Sequence, residues 1–183
     1  MWKPWSRELG FKRVILVGHS AGGAIGLMAA KRMPGTVVAV IGVDTLHNVE
    51  QKRSEESTKK LIANLEADFK GTAHGFTSGA LHAKADPELK KWLSARIETQ
   101  DPKPAIELMR GRTADAAEML KEAKVPVRCI NSSGRTTDVT ANKKYGDFDA
   151  VLMDEVGHFP MLEKPTEFNK KLRDVLKEFA AKK

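Results

Sequence analysis

The chain has 183 residues, with 31 Lys+Arg against 24 Asp+Glu for a formal net charge of +7, and its one cysteine is Cys129. That length suits a single domain with a real core, while one cysteine excludes an intrachain disulfide and any cysteine-rich metal site; the lysines alternate with glutamates along helical stretches, which excludes a basic block of the nucleic-acid-binding kind. No run reaches the roughly 18 apolar residues of a membrane span, and Met1-Trp2-Lys3-Pro4-Trp5 lacks a signal-peptide apolar region, so a cytoplasmic protein without membrane or nucleic-acid partners is expected.

Residues 2–10 read as the end of a helix closed by Gly10, followed by a strand at about 12–17. Val14-Ile15-Leu16-Val17 is a continuous apolar run, suited to a strand buried on both faces. It leads straight into Gly18-His19-Ser20-Ala21-Gly22 and then into small or helix-forming residues through Ala30. Strand, sharp turn and helix in that order are the setting in which Gly-x-Ser-x-Gly lifts a serine above a sheet. Gly18 and Gly22 are expected where a Cβ would strike the adjoining strand and helix. Ser20 then stands at a helix N-terminus, where the Ala21 backbone N–H can steady an oxyanion on a bound carbonyl. Pro34-Gly35 ends this helix, and residues 36–43 form a second buried, β-branched strand that stops at Asp44. The two strands and their helix make a βαβ unit, and the carboxyl ends of such strands are where α/β sites are built.

From 45 to 124 the composition turns polar, charged and helical, which marks a helical cap inserted in the single domain 1–183. Leu61, Leu65 and Phe69 share one face of a first helix, and Gly71 to Gly79 read as a mobile connection. Asp86-Pro87 signals an N-cap with proline at the first helical position, ahead of Leu89, Trp92, Leu93 and Ile97. Two shorter helices carry Ile106, Leu108 and Met109, then Met119 and Leu120. Strands return at 125–130 and 150–153, with Asp138 ahead of a helix-like segment to about Tyr145. Gly157-His158-Phe159-Pro160 falls in the loop after the last strand. Pro165 opens a final helix in which Phe168, Leu172, Val175, Leu176 and Phe179 share a face; Lys182-Lys183 is a frayed tail.

Gly18-His19-Ser20-Ala21-Gly22, strand 36–44, the helical cap and the segment from Val156-Gly157-His158 to Pro165-Thr166-Glu167-Phe168 together resemble the α/β-hydrolase superfamily over essentially the whole chain. The resemblance implies a mostly parallel sheet of about four strands flanked by helices. It also implies a serine hydrolase with Ser20 as nucleophile and His158 as base, needing no cofactor and no metal. The family usually sets its acid soon after the penultimate strand, where this chain reads Asn131 to Asp138 with Arg135 nearest the matching place. Asp44, at a position some members use, is the favoured acid, and Asp138 is the alternative, with a job of its own as helix N-cap.

Relatives carry several strands ahead of the elbow strand, and one of their oxyanion donors comes from that region. Here the elbow strand stands almost first, so the resemblance implies a truncated sheet, with either weak activity or a second donor from the cap or another subunit. Residues 12–17 then make a long apolar edge without proline, which predicts a homodimer, either edge to edge through 12–17 or through the helices beside them, with Trp2 and Trp5 buried at or near the contact. Two classes of function stay open: a carboxylic ester hydrolase acting on small, short-chain esters, and a truncated hydrolase fold serving as a binding or assembly module.

Overall fold

A computed structural model of the chain describes residues 10–52, 54–111 and 115–180; the helix expected over 2–10, Trp2, Trp5 and the tail lie outside that range, except Gly10. Four strands, β1 (Val14–His19), β2 (Val37–Val43), β3 (Val127–Ser132) and β4 (Phe148–Met153), pair in parallel in the order β1-β2-β3-β4. The order follows from composition. The run 37–43 is apolar on both faces, and its residues are the most completely buried of any strand. It therefore lies inside the sheet, with helices on both sides.

One face of the sheet packs Val40, Val127 and Phe148 against Leu27 of α1 (Ala21–Arg32) and Leu120 of α6 (Ala116–Ala123). The other packs Ile41, Ile130 and Met153 against Phe168, Val175 and Phe179 of α9 (Pro165–Ala180). Each such side chain, fully buried, stabilises the fold by about 1.5–3 kcal/mol, so Ile41→Ala would cost about 2–5 kcal/mol once its cavity is counted. β1 is an edge of the described sheet. Its residues are mostly half-buried and Val17 is 50% exposed, so the run 14–17 is not covered on both faces as its apolarity suggested.

Between β2 and β3 stand α2 (Glu55–Ala67), α3 (Phe69–Ala80), α4 (Pro87–Glu98), α5 (Pro102–Arg110) and α6. α6 packs on α1 beside the sheet, whereas α2–α5 pack chiefly on one another. The expected first helix is in fact two. Asp68 ends α2 and caps α3, its carboxylate accepting the Gly71 N–H at 2.9 Å. The stretch 71–79, expected as a mobile connection, is helical; its glycines diluted the helix signal, but the cap and a Thr77 Oγ1 bond to the Ala73 carbonyl at 2.8 Å hold the turns. A Cβ at Gly71 would meet the capping Asp68 Oδ2 at 2.0 Å, so at that position glycine leaves room for the cap. β3 begins two residues later than expected because Pro126 has no N–H for the ladder and contributes only its carbonyl, to Val40 N at 3.0 Å. Two short helices, α7 (Val139–Lys143) and α8 (Pro160–Glu163), follow β3 and β4.

Candidate active site

β1 delivers Ser20 into a turn with φ 52° and ψ −118°, from which α1 starts at once. A non-glycine residue there carries about 1–3 kcal/mol of backbone strain, which the surroundings must hold. They do so through the Ser20 N–H, bonded to the Val43 carbonyl at 2.9 Å, which ties the elbow to the end of β2. Gly18 is required: a Cβ would lie 2.3 Å from the Gly22 carbonyl oxygen. Gly22, expected to be equally crowded, would have nothing within 4 Å of an added Cβ, and Gly23 takes that role, with Thr45 Cγ2 at 2.4 Å. Ala21 is the first residue of α1, so its N–H has no carbonyl within the helix to bond.

One residue beyond β2, Asp44 adopts a positive φ of 45° and buries its carboxylate, whose side chain is 8% exposed. His158 Nδ1–H donates to Asp44 Oδ2 at 2.6 Å, and the Ser132 backbone N–H donates to Oδ1 at 3.0 Å. Burial by itself would raise the Asp44 pKa. Hydrogen bonds from His158 and the Ser132 N–H, with the His47 ring close by, outweigh it and hold the carboxyl well below the usual carboxylate range. Asp138 lies elsewhere: its Oδ1 caps α7 by accepting the Ala141 N–H at 2.9 Å, and its backbone N–H donates to the His47 carbonyl at 2.7 Å. Among the described residues, no hydrogen bond joins Ser20 Oγ to the His158 ring. Such bonds are commonly long without substrate.

The loop that carries His158 is docked on the end of α3. Its backbone N–H donates to the Ala80 carbonyl at 2.6 Å, and Gly157 sits so close that a Cβ would lie 2.2 Å from the same oxygen. The Glu163 carboxylate clips this junction. Oε1 accepts the N–H groups of Gly157 (2.9 Å) and Phe159 (3.3 Å), and Oε2 accepts that of His82 at 2.8 Å. Phe76 of α3 stands edge-on to the His158 ring, with centroids 5.8 Å apart.

His19, the unspecified residue of Gly-x-Ser-x-Gly, lies with its ring tilted 47° to that of His158, centroids 4.6 Å apart, and donates Nε2–H to the His158 carbonyl at 2.7 Å. Burial, only partly offset by that hydrogen bond, lowers its pKa, so the ring stays neutral near pH 7. The sequence pattern did not single out His19, His47, Ser132 or Glu163. Of these only Glu163 left a usable signal, a carboxylate one turn beyond Pro160, where the start of a short helix leaves N–H groups to be capped.

A family description, alpha/beta hydrolase, matches residues 5–171. The chain belongs to the alpha/beta hydrolase family. No curated protein sequence matches it. Among solved structures it is similar to an esterase from Exiguobacterium antarcticum, at 16% identity and a TM-score of 0.80, covering 94% of this chain and 70% of that one. It is similar also to a hydrolase from Oleispira antarctica, at 16% identity and a TM-score of 0.79, covering 92% and 67%. A third likeness is Est816, described as an N-acyl homoserine lactone degrading enzyme, at 22% identity, a TM-score of 0.71 and coverage of 93% and 70%. At such identities the TM-scores show a shared fold. About a third of each of those proteins has no counterpart in this hydrolase chain.

Proposed function

We propose that this hydrolase cleaves carboxylic esters of small, short-chain acids through Ser20, His158 and Asp44. The observation that carries the reading is the 2.6 Å bond from His158 Nδ1 to Asp44, one residue past the strand end that also anchors the Ser20 N–H. With Nδ1–H given to the carboxylate, Nε2 is the basic nitrogen of His158. Ser20 Oγ attacks the ester carbonyl while its proton passes to Nε2. The Ala21 N–H donates to the developing oxyanion, and the imidazolium is stabilised by Asp44. The carbon–alkoxy bond breaks and the leaving alcohol takes the proton from Nε2. Water then gives a proton to Nε2 and its oxygen to the acyl carbon; the bond to Ser20 Oγ breaks, Oγ takes the proton back from Nε2 and the acid departs. Nothing in these steps calls for a metal or cofactor.

Within the expected insertion 45–124, α2–α5 act in this reading as the cap, with α3 bearing Phe76 against the base, while α6 belongs to the layer beside the sheet. Hydrolysis of p-nitrophenyl acetate and butyrate tests the assignment. Ser20→Ala and His158→Ala should each remove most of the rate, and near-full activity in either would reject it.

We further propose a cytoplasmic homodimer paired through the β1 edge, where Val17 is 50% exposed and Phe11 52%. A stable folded monomer by light scattering at low micromolar concentration would reject the dimer. The same edge favours a second reading, a hydrolase fold kept as an assembly module, which predicts a dimer with no serine reactivity.

A further inference from the structure

His47 is 5% exposed, and its Nε2 atom is buried without a hydrogen-bond partner of ordinary length. That nitrogen lies 3.5 Å from Asp44 Oδ1, the carboxylate oxygen not bonded to His158. Its other ring nitrogen, Nδ1, is 3.1 Å from Thr137 Oγ1. A buried histidine against the acid of a candidate triad has no part in the steps above, and its neighbours decide which nitrogen carries the proton.

The decision starts at Asn131. Its side-chain amide spans the Thr45 backbone, with Oδ1 accepting the N–H at 3.1 Å and Nδ2 donating to the carbonyl at 2.9 Å. A peptide unit offers one donor and one acceptor, so the orientation of this amide is fixed. The second Nδ2 hydrogen therefore points at Thr137 Oγ1, 3.0 Å away. Thr137 accepts there and keeps its own hydroxyl hydrogen, which the His47 Nδ1 lone pair can take; because a hydroxyl oxygen can also accept a second hydrogen, the carboxylate across the ring decides between the tautomers. Nδ1 as acceptor leaves the hydrogen on Nε2, facing Asp44 Oδ1. The opposite tautomer would set a nitrogen lone pair against a carboxylate oxygen in a buried place.

We propose that His47 is a positioning residue for ester hydrolysis: a relay from Asn131 through Thr137 fixes its Nε2–H on Asp44 Oδ1, keeping the acid ionised and its other oxygen aimed at His158. The proposal rests on the triad reading above. The charged or titratable groups around His47 are few among the described residues. Asp44 faces it from its own loop, and His158 stands across Asp44 on the loop after β4. Asp138 meets it from the loop after β3 through its backbone N–H, its carboxylate being engaged by Ala141 N and Asn48. Removing the Nε2–H leaves Asp44 with fewer donors, so the Asp44–His158 pair holds a proton more tightly. The reactive state, carboxylate with neutral imidazole, is then lost at a higher pH.

The test is the pH dependence of kcat/KM for p-nitrophenyl acetate. His47→Phe should lower kcat/KM about tenfold, mostly in kcat, and move the acid limb up by about half a pH unit. His47→Gln, whose side-chain amide can again present a donor near Oδ1, should return the limb most of the way to wild type. Thr137→Val keeps the shape and frees the tautomer, so it should shift the limb in the same direction by less. An unmoved limb in His47→Phe, or Gln and Phe variants behaving alike, overturns the proposal. If His47→Phe does not fold, Thr137→Val decides, and an unmoved limb there is the contrary result. The His158 Nδ1 proton, followed by NMR through an acid titration of Ser20→Ala protein with and without Thr137→Val, reads the relay without turnover. Wild-type protein that hydrolyses no ester would sink the proposed reaction, while a titration unchanged by Thr137→Val would sink the relay alone.

Discussion

Replacing Glu163 should disturb the fold and the site together, because one carboxylate holds three backbone N–H groups from two segments, Gly157 and Phe159 on the histidine loop and His82 after α3. Hydrogen bonds to a charged acceptor contribute about 1.5–3 kcal/mol each, but the 3.3 Å bond is weak and the half-buried donors regain water when the carboxylate goes. Glu163→Ala should therefore cost about 3 kcal/mol, which in a chain of this size lowers Tm by about 6–12 °C. Glu163→Gln should fall between: its one oxygen can serve Gly157 and Phe159 or His82, and its NH2 then faces an N–H on the other side. Activity should fall as well, since a loop displaced by about 1 Å at the base can cost about a hundredfold in rate, a loss close in size to that of stability. Thermal unfolding followed by circular dichroism, beside p-nitrophenyl acetate hydrolysis at a temperature where both variants are folded, measures the two effects. A Glu163→Ala protein that melts within about a degree of wild type and keeps full activity would refute the reasoning.

Other substitutions test other parts of the geometry. Gly18→Ala puts a methyl 2.3 Å from a backbone oxygen and should prevent folding or cost several kcal/mol, whereas Gly22→Ala meets nothing within 4 Å and should stabilise α1 by up to about 1 kcal/mol; melting curves in the reverse order would contradict the elbow geometry. Asp44→Asn should lower kcat by about 10⁴-fold, because the amide favours the wrong tautomer of His158, while Asp138→Asn can still cap α7 and should stay within a few-fold; the opposite ranking would move the acid to Asp138. Because the Asp44 pKa is depressed in the fold, its carboxylate adds stability above the unfolded value of 3.8 and loses it as pH falls through the folded value. Urea midpoints of wild type and Asp44→Asn should accordingly converge as pH drops below about 4, and a gap that widens there would be contrary. Burial pushes the Cys129 thiol up to about 12, so a thiol reagent should leave native protein unmodified and react once urea unfolds it.

The architecture was readable where burial and backbone demand coincide. The run 36–43 reads as an internal strand, and Gly-x-Ser-x-Gly, weak by itself, reads as an elbow once it stands between an apolar run and small helix formers. The same local logic failed where a long-range partner decides. Gly22 and Gly23 are indistinguishable in sequence, and it is Thr45, from the loop after β2, that makes Gly23 the crowded one. Gly71, Gly75 and Gly79 argued for a loose connection, yet Asp68 caps the helix they lie in. At the site, the choice of Asp44 over Asp138 rested on position and on the capping role expected of Asp138. What the structure adds is that Asp138 also meets Asn48, while Asp44 meets the His158 ring. His47 left almost no trace in sequence, since Thr137, which meets its ring, lies far along the chain, and Glu163 showed only as a carboxylate one turn beyond Pro160.

The central claim is that Ser20 is a nucleophile activated by His158. Treating the folded protein with a fluorophosphonate and mapping the adduct by mass spectrometry tests it most directly. The account predicts one adduct, on Ser20, that forms slowly or not at all in His158→Ala and is absent from Ser20→Ala; folded wild-type protein that stays unlabelled, or is labelled at another residue, would contradict it.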